Sequence, residues 1–166
     1  MHELSLKIQE KNKLNGALDF EVPEVQFVFD ENGMAVDFKK RERNDAHRLI
    51  EDFMVLANQT VAKEFCDNDI PFVYRVHESP RKEKVLSVVE YLKGLGVRPP
   101  QIPEEINPEY YQNLIKLVSN QTYTETVNKV LLRSMQKARY ASSCLGHFGL
   151  ALKFYCHFTS PIRRYP

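Results

Sequence analysis

The sequence has no tryptophan, only six glycines, three cysteines and, beyond Glu125, not one aspartate or glutamate. Each shortage excludes something. Cys66, Cys144 and Cys156 are odd in number and form no Cys-x-x-Cys pair, so neither a disulfide framework nor a zinc site is indicated. A reducing, cytoplasmic setting is expected. No run of about 18 apolar residues occurs, so neither a membrane helix nor a membrane partner is expected. Met1 to Glu10 alternate charged with apolar groups and lack the apolar stretch of a signal peptide. The missing acid matters most. Lys129, Arg133, Lys137, Arg139, Lys153, Arg163 and Arg164 give the last 41 residues a charge of +7, while the first 125 hold all 22 acids and sum to −6. A chain of net charge +1 therefore hides a cationic end. Such asymmetry points to a polyanionic partner.

What is present is one domain's worth of chain: 166 residues, 43% apolar and 27% charged. Residues 1–15 read as a helix with Leu4, Ile8 and Leu14 facing inward. Gly16 breaks it, and Ala17 to Glu21 is a short extended piece before Pro23. Val25, Phe27 and Phe29 alternate, as do Met34, Val36 and Phe38, with Asn32-Gly33 between the runs; this predicts a hairpin. Lys39 to Arg43 reads as its solvated end. Asn44 is a candidate N-cap for a helix to about Cys66, whose apolar stripe (Leu49, Ile50, Phe53, Met54, Ala57, Val61, Phe65) predicts burial. Asp67-Asn68-Asp69 ends it, and Pro71 to Val76 is a β-type run.

Ser79-Pro80 and Asn107-Pro108 each place a cap and a proline ahead of a helix. Thr122 to Glu125 reads as a capping box opening a helix to about Arg139. On that helix Lys129, Arg133 and Lys137 would form a basic stripe, either solvated or turned to a nucleic acid. The order of elements predicts an α+β fold.

The last twenty residues interleave Arg163 and Arg164 with aromatic rings around a Thr159-Ser160-Pro161 turn. Cations between ring faces suit single-stranded nucleic acid. His147-Phe148-Gly149-Leu150, Tyr155, and Phe158 through Tyr165 closely resemble, at matching offsets, the signature of the RNB exoribonuclease family (ribonucleases II and R). Leu49 to Asn58 is similar to that family's Ile-Glu-Glu-Phe-Met-Leu-Leu-Ala-Asn helix. Tyr74 to Glu78 and Gly16 to Phe20 match as well, the latter in the ribonuclease R style.

The resemblance implies that residues 1–166 are the C-terminal part of an RNB catalytic domain, truncated at both ends. It implies 3′→5′ hydrolysis of single-stranded RNA to nucleoside monophosphates with Mg²⁺, and flanking OB-type RNA-binding domains in a longer protein. It also implies an Asp-rich metal box upstream; Asp67-Asn68-Asp69 does not resemble that box, so no metal ligand is assigned. Arg163 corresponds to the family's catalytic arginine, whose planar fork suits phosphoryl charge. Glu51 corresponds to the acid near the 3′-terminal nucleotide, and Asp52 stands where the family has a second Glu. Phe20 matches a base-clamping aromatic; Arg164, Arg133 and Lys137 are candidate RNA contacts. Arg75, His147 and His157 receive no role, and Ser160 has no paired base that would make it a nucleophile. The alternative is a catalytically inactive RNA-binding remnant or split-gene product of the same family.

Overall fold

Two asparagines start two of the five helices found among the described residues. The computed structural model describes residues 1–20, 25–40 and 44–165, including every side chain but those of Lys40 and Arg163. In it the Asn44 Oδ1 accepts from the His47 backbone N–H at 2.9 Å, and Asn107 does the same for Tyr110 at 2.9 Å. These caps satisfy donors that a helix start leaves without a partner. They open α2 (Asp45–Asp67) and α4 (Pro108–Val118).

Around them the chain runs α1 (His2–Leu14), β1 (Val25–Phe29), β2 (Ala35–Lys40), α2, β3 (Tyr74–Val76), α3 (Lys82–Gly94), α4, α5 (Thr124–Ser134) and β4 (Arg139–Ala141). The fold is α+β, as expected, with two separate two-stranded antiparallel sheets, β1–β2 and β3–β4. Arg41 to Arg43 and the stretch around Pro23 lie outside the described residues.

The main core is helical. Val85, Val88 and Leu92 of α3, Tyr111 and Leu114 of α4, and Val127 and Leu131 of α5 meet with Phe148 at its edge. A second, smaller core joins Ala62 of α2 to Tyr74 and Val76 of β3 and to Cys156. Cys156 thus connects the chain's last segment to the central helix.

Several expectations need correction. The inward face of α1 is polar: Ser5 is buried, while Leu4 and Leu14 are exposed. Ser5 Oγ and Gln9 Nε2 both donate to the Asp52 carboxylate of α2, at 2.5 and 2.7 Å, so hydrogen bonds rather than leucines join the two helices. The apolar stripe of α2 is only half covered; Ile50 and Leu56 are exposed, and Asn58 and Ala62 are its buried residues. α3 starts at Lys82, two residues after Pro80, with no side-chain cap. α5 starts at Thr124, whose hydroxyl donates to the Val118 carbonyl at 2.5 Å, so Thr122 is not its cap.

α5 also stops at Ser134 instead of Arg139. Ser134 Oγ turns back to the Leu131 carbonyl (2.6 Å) and meets the buried Tyr111 hydroxyl (2.7 Å). A hydroxyl that takes a last-turn carbonyl competes with helix propagation. The chain then turns extended so that β4 can pair with β3. Lys137 consequently lies beyond the helix and out of line with Lys129 and Arg133.

The hairpin forms as expected, with Phe27 opposite Phe38, but its register shifts after Val28 and its turn is longer than Asn32-Gly33 alone. The Asp30 carboxylate accepts from the Asn32 and Met34 N–H groups, and Gly33 takes φ +77°. That conformation suits glycine because no Cβ opposes it.

The register of α5 can be checked by paired truncation. Leu131→Ala, at a fully buried site, should cost about 2–5 kcal/mol in urea unfolding. Leu132→Ala, at a 46% exposed neighbour, should cost less than about 1 kcal/mol. Equal losses would contradict the packing described.

Candidate nucleic-acid interface

The last segment, residues 152–165, is an arch held on two sides. On one side, Tyr74 bridges Cys156 and the Arg75 N–H donates to the Tyr155 carbonyl at 2.9 Å, so the arch runs along β3. On the other, the buried Asn58 of α2 reaches it four times. Its Oδ1 accepts from Thr159 N–H (2.8 Å) and Thr159 Oγ1 (3.1 Å), its Nδ2 approaches the Tyr155 hydroxyl at 3.4 Å, and its backbone carbonyl accepts from Cys156 Sγ (3.1 Å). A buried amide is costly unless paired, and this one is paired at both ends.

Beyond Thr159, Ser160 takes the left-handed conformation (φ +59°), and Pro161–Arg163 forms one 3-10 turn. The end folds back: the Tyr165 hydroxyl accepts from His157 N–H at 3.1 Å and donates to the Val73 carbonyl at 3.5 Å. The two arginines lie at the end of this turn. The backbone of Arg163 is in the 3-10 turn while its side chain lies outside the described part; Arg164 is exposed.

Glu51 precedes Asn58 by seven residues on α2, which returns it to nearly the same helix face about 10 Å along the axis. The Tyr155 hydroxyl senses both ends of this arrangement. Burial pushes its pKa up, the Asn58 amide and the Arg164 charge pull it back, and the Glu51 carboxylate pushes it further up. Glu51 thus lies about two turns along α2 from Asn58, which reaches the arch at Tyr155 and Thr159.

A second set of side chains extends the arch across β3–β4. Arg75 and Tyr140 are cross-strand partners, and the guanidinium lies 4.8 Å from the ring centre. That is cation–π range. Tyr140 shares a 2.8 Å hydrogen bond with His157 Nδ1 and packs against Tyr165. The His157 imidazole is held below its ordinary pKa by burial and then by the charges of Arg164 and Arg75.

Rings continue inward in a series: Tyr140–His157 (5.7 Å), His157–Tyr155 (5.8 Å), Tyr155–His147 (5.1 Å), His147–His77 (5.0 Å), His77–Phe148 (6.0 Å) and Phe148–Tyr111 (5.5 Å). All six are edge-to-face, a favoured aromatic geometry. They connect the arch to the helical core. His77 Nδ1 accepts from Gly149 N–H, and His147 Nδ1 from Leu150 N–H, which places each ring proton on Nε2. Burial first, then His77 and Arg75, push His147 down to about 3. His77 Nε2 is buried, and its approach to the Gln136 main chain closes no hydrogen bond. Gly149 permits this contact, since a Cβ there would meet His77 Nδ1 at 3.1 Å.

A cavity of about 530 Å³ is lined by His77, Cys144, Gly146, His147, Phe148 and Lys153, among others, but not by Glu51 or any residue after Lys153. The charged groups that converge lie outside it, on open surface. Cys66 and Cys144, distant in sequence, are neighbours; burial and Cys66 push the Cys144 thiol up to about 11, which leaves it protonated and unreactive.

The other expected site residues lie elsewhere. Phe20 is half-buried against the helical core, next to the Leu18–Gly149 backbone bond. Arg133 is exposed on the last turn of α5 and Lys137 beyond its end; among the described residues neither bonds to the arch. Asp52 is held by Ser5 and Gln9. Among the described residues no three His, Cys, Asp or Glu side chains converge as metal ligands do. These residues do not fit a magnesium pair, so no chemical step is routed through one. Sequence reasoning gave no role to Asn58, Tyr155 or Tyr140. The available signal was Asn58, an amide inside an apolar stripe and seven residues after Glu51.

Comparison with known proteins decides the family. The sequence pattern described as "RNB domain" matches residues 1–166. The chain belongs to the RNB family. It is 44% identical over 165 residues to ribonuclease R of Thermotoga maritima, covering 99% of this chain and 23% of that protein. The apo form of Mycoplasma genitalium RNase R superimposes with a TM-score of 0.92 at 31% identity, over 97% of this chain and 25% of that one. The same enzyme in complex with ribose-methylated single-stranded RNA gives a TM-score of 0.91 at 31% identity, over 97% and 25% of the two chains. This RNB chain thus spans about a quarter of the length of these relatives.

The neutral histidines make a pH prediction. Above pH 6.5 His147 is uncharged folded or unfolded. As pH falls below that, the unfolded chain binds a proton that the folded site refuses down to about 3, so stability should fall through that window. His77 and His157 are lowered too and add to the slope. His147→Asn, whose Oδ1 can replace Nδ1 as acceptor, should flatten the fall of urea midpoint between pH 7 and pH 4. An unchanged slope would locate the proton uptake elsewhere.

Proposed function

We propose that this RNB segment forms the arginine-bearing wall of a 3′→5′ exoribonuclease that hydrolyses single-stranded RNA to nucleoside monophosphates. One observation supports the reading: Asn58, two helical turns after Glu51 on α2, accepts hydrogen bonds from Thr159, just ahead of the signature's arginine-bearing turn. RNA as the partner is supported by the relative solved with single-stranded RNA. A cytoplasmic location belongs to the same reading.

In this proposal Glu51 accepts hydrogen bonds from the 3′-terminal ribose, where a contact to the 2′-hydroxyl separates RNA from DNA. Water attacks the last phosphodiester, the P–O3′ bond of the preceding nucleotide breaks, and a 5′-monophosphate leaves. Negative charge then grows on the phosphoryl oxygens. Arg163 is assigned to that charge, since a fixed guanidinium stabilises it without reorganising. Arg164 holds a neighbouring phosphate. Phe20 stacks on a base, and Arg133 and Lys137 follow the strand. Magnesium is assigned to carboxylates outside this stretch, together with the OB-type domains expected in a longer protein.

A second reading, an RNA-binding product without catalysis, is favoured by the lack of converging metal ligands among the described residues. The 166-residue chain, given Mg²⁺ and a 3′-labelled oligoribonucleotide, should release no label. Release at ordinary rates would overturn the placement of the metal site elsewhere. A longer protein carrying this segment should release labelled monophosphates, and failure there would favour the second reading. In that protein Arg163→Ala should lower turnover by about 10²–10⁴-fold with RNA affinity within a few-fold, because the charge acts on the transition state. Equal losses in both would make Arg163 a binding contact only.

A further inference from the structure

We propose that Asn58 is the positioning residue that fixes the spacing between the ribose-reading Glu51 and the arginine-bearing turn. The inference rests on the exoribonuclease reading and adds to it a residue that touches neither RNA nor metal.

The geometry leaves few other connections. α2 enters the small core through Ala62, a turn past Asn58, and between Asn44 and Asn58 its apolar residues are half-covered or exposed. Glu51 lies in that half, next to the Asp52 carboxylate that bonds to α1. The arch in turn leaves β3 after His157, and Phe158 through Arg164 have no strand partner among the described residues. The Asn58 side chain closes the gap. Its single Oδ1 takes both the backbone N–H and the hydroxyl of Thr159, the residue just before the left-handed Ser160 that aims the arginine turn. Its Nδ2 reaches the Tyr155 hydroxyl, the group that senses both Glu51 and Arg164.

An apolar residue at 58 would leave the Thr159 N–H without its acceptor and free the turn to drift. A shift of about 1 Å at a catalytic group costs rate far more than binding. The carboxamide also works by direction: Oδ1 must accept from the turn. Aspartate keeps that acceptor, and the Tyr155 hydroxyl can rotate to donate to it, so Asn58→Asp preserves most of the arrangement while Asn58→Leu abolishes it.

The test uses a longer protein carrying this segment, with turnover and RNA affinity measured separately and thermal midpoints recorded. If the unaltered protein is inactive, the exoribonuclease reading fails, and this inference with it. If it is active, Asn58→Leu should lower kcat by about 10²-fold with RNA affinity within about threefold. It should also narrow the preference for a 3′-terminal ribose over deoxyribose. Asn58→Asp should recover at least about tenfold of the lost kcat, and Thr159→Val, which keeps the N–H, should lose less than about tenfold. The proposal is overturned if Asn58→Leu keeps kcat and sugar preference while only the midpoint falls. It is equally overturned if affinity and kcat fall together, or if the aspartate is no better than leucine at equal midpoint. Should Asn58→Leu fail to fold, the Asp and Val variants decide alone: sugar preference unchanged and kcat reduced equally in both would sink it.

Discussion

A single buried carboxamide joins the two halves of this surface. The Asn58 side chain is surrounded by protein, so its oxygen and nitrogen must find partners within the fold or be left costly. They find Thr159 and Tyr155, one on each side of the point where the chain leaves β3. This pairing ties the arch, just before its 3-10 turn, to the helix that carries Glu51. The β3–β4 sheet completes the support with the Arg75–Tyr140 stack, and the edge-to-face rings carry it into the helical core.

Charge along the chain and charge in space are differently arranged. The sequence divides into an acidic front and a cationic end, yet Arg75, which lies over Tyr140 and bears on both His147 and His157, comes from the acidic part. Arg139 of the cationic end is tied to Glu78 at 3.0 Å. Pairing β3 with β4 exchanges one cation for another at the surface. The net positive count near the turn is thus set by strand register as much as by composition.

The motif residues were readable because their signals are local. Asn44 and Asn107 cap where a cap was expected, and the Phe27–Phe38 pairing follows from period-two alternation. The signature around Phe158 to Tyr165 pointed to the family without any knowledge of contacts. What remained hidden depends on partners distant in sequence. No pattern in α1 says that Ser5, not Leu4, will meet Asp52. The early end of α5 reflects Ser134 meeting Tyr111, a residue of another helix. Glu51 was singled out through its motif, while the hydrogen bonds that tie its helix to the arginine-bearing turn run from Asn58 to Thr159, 101 residues away.

The hairpin carries a further consequence. Val25, Phe27, Phe29, Val36 and Phe38 are each more than half exposed, and Phe27 pairs with Phe38 on one face of the ribbon. Two strands alone have marginal stability in water, and a naked aromatic face of this kind is sticky. The two strands by themselves therefore give the ribbon little stability, and its exposed apolar face adds none. A protein made in this way would mature from the helical core outward, with the β1–β2 ribbon the last piece to become rigid.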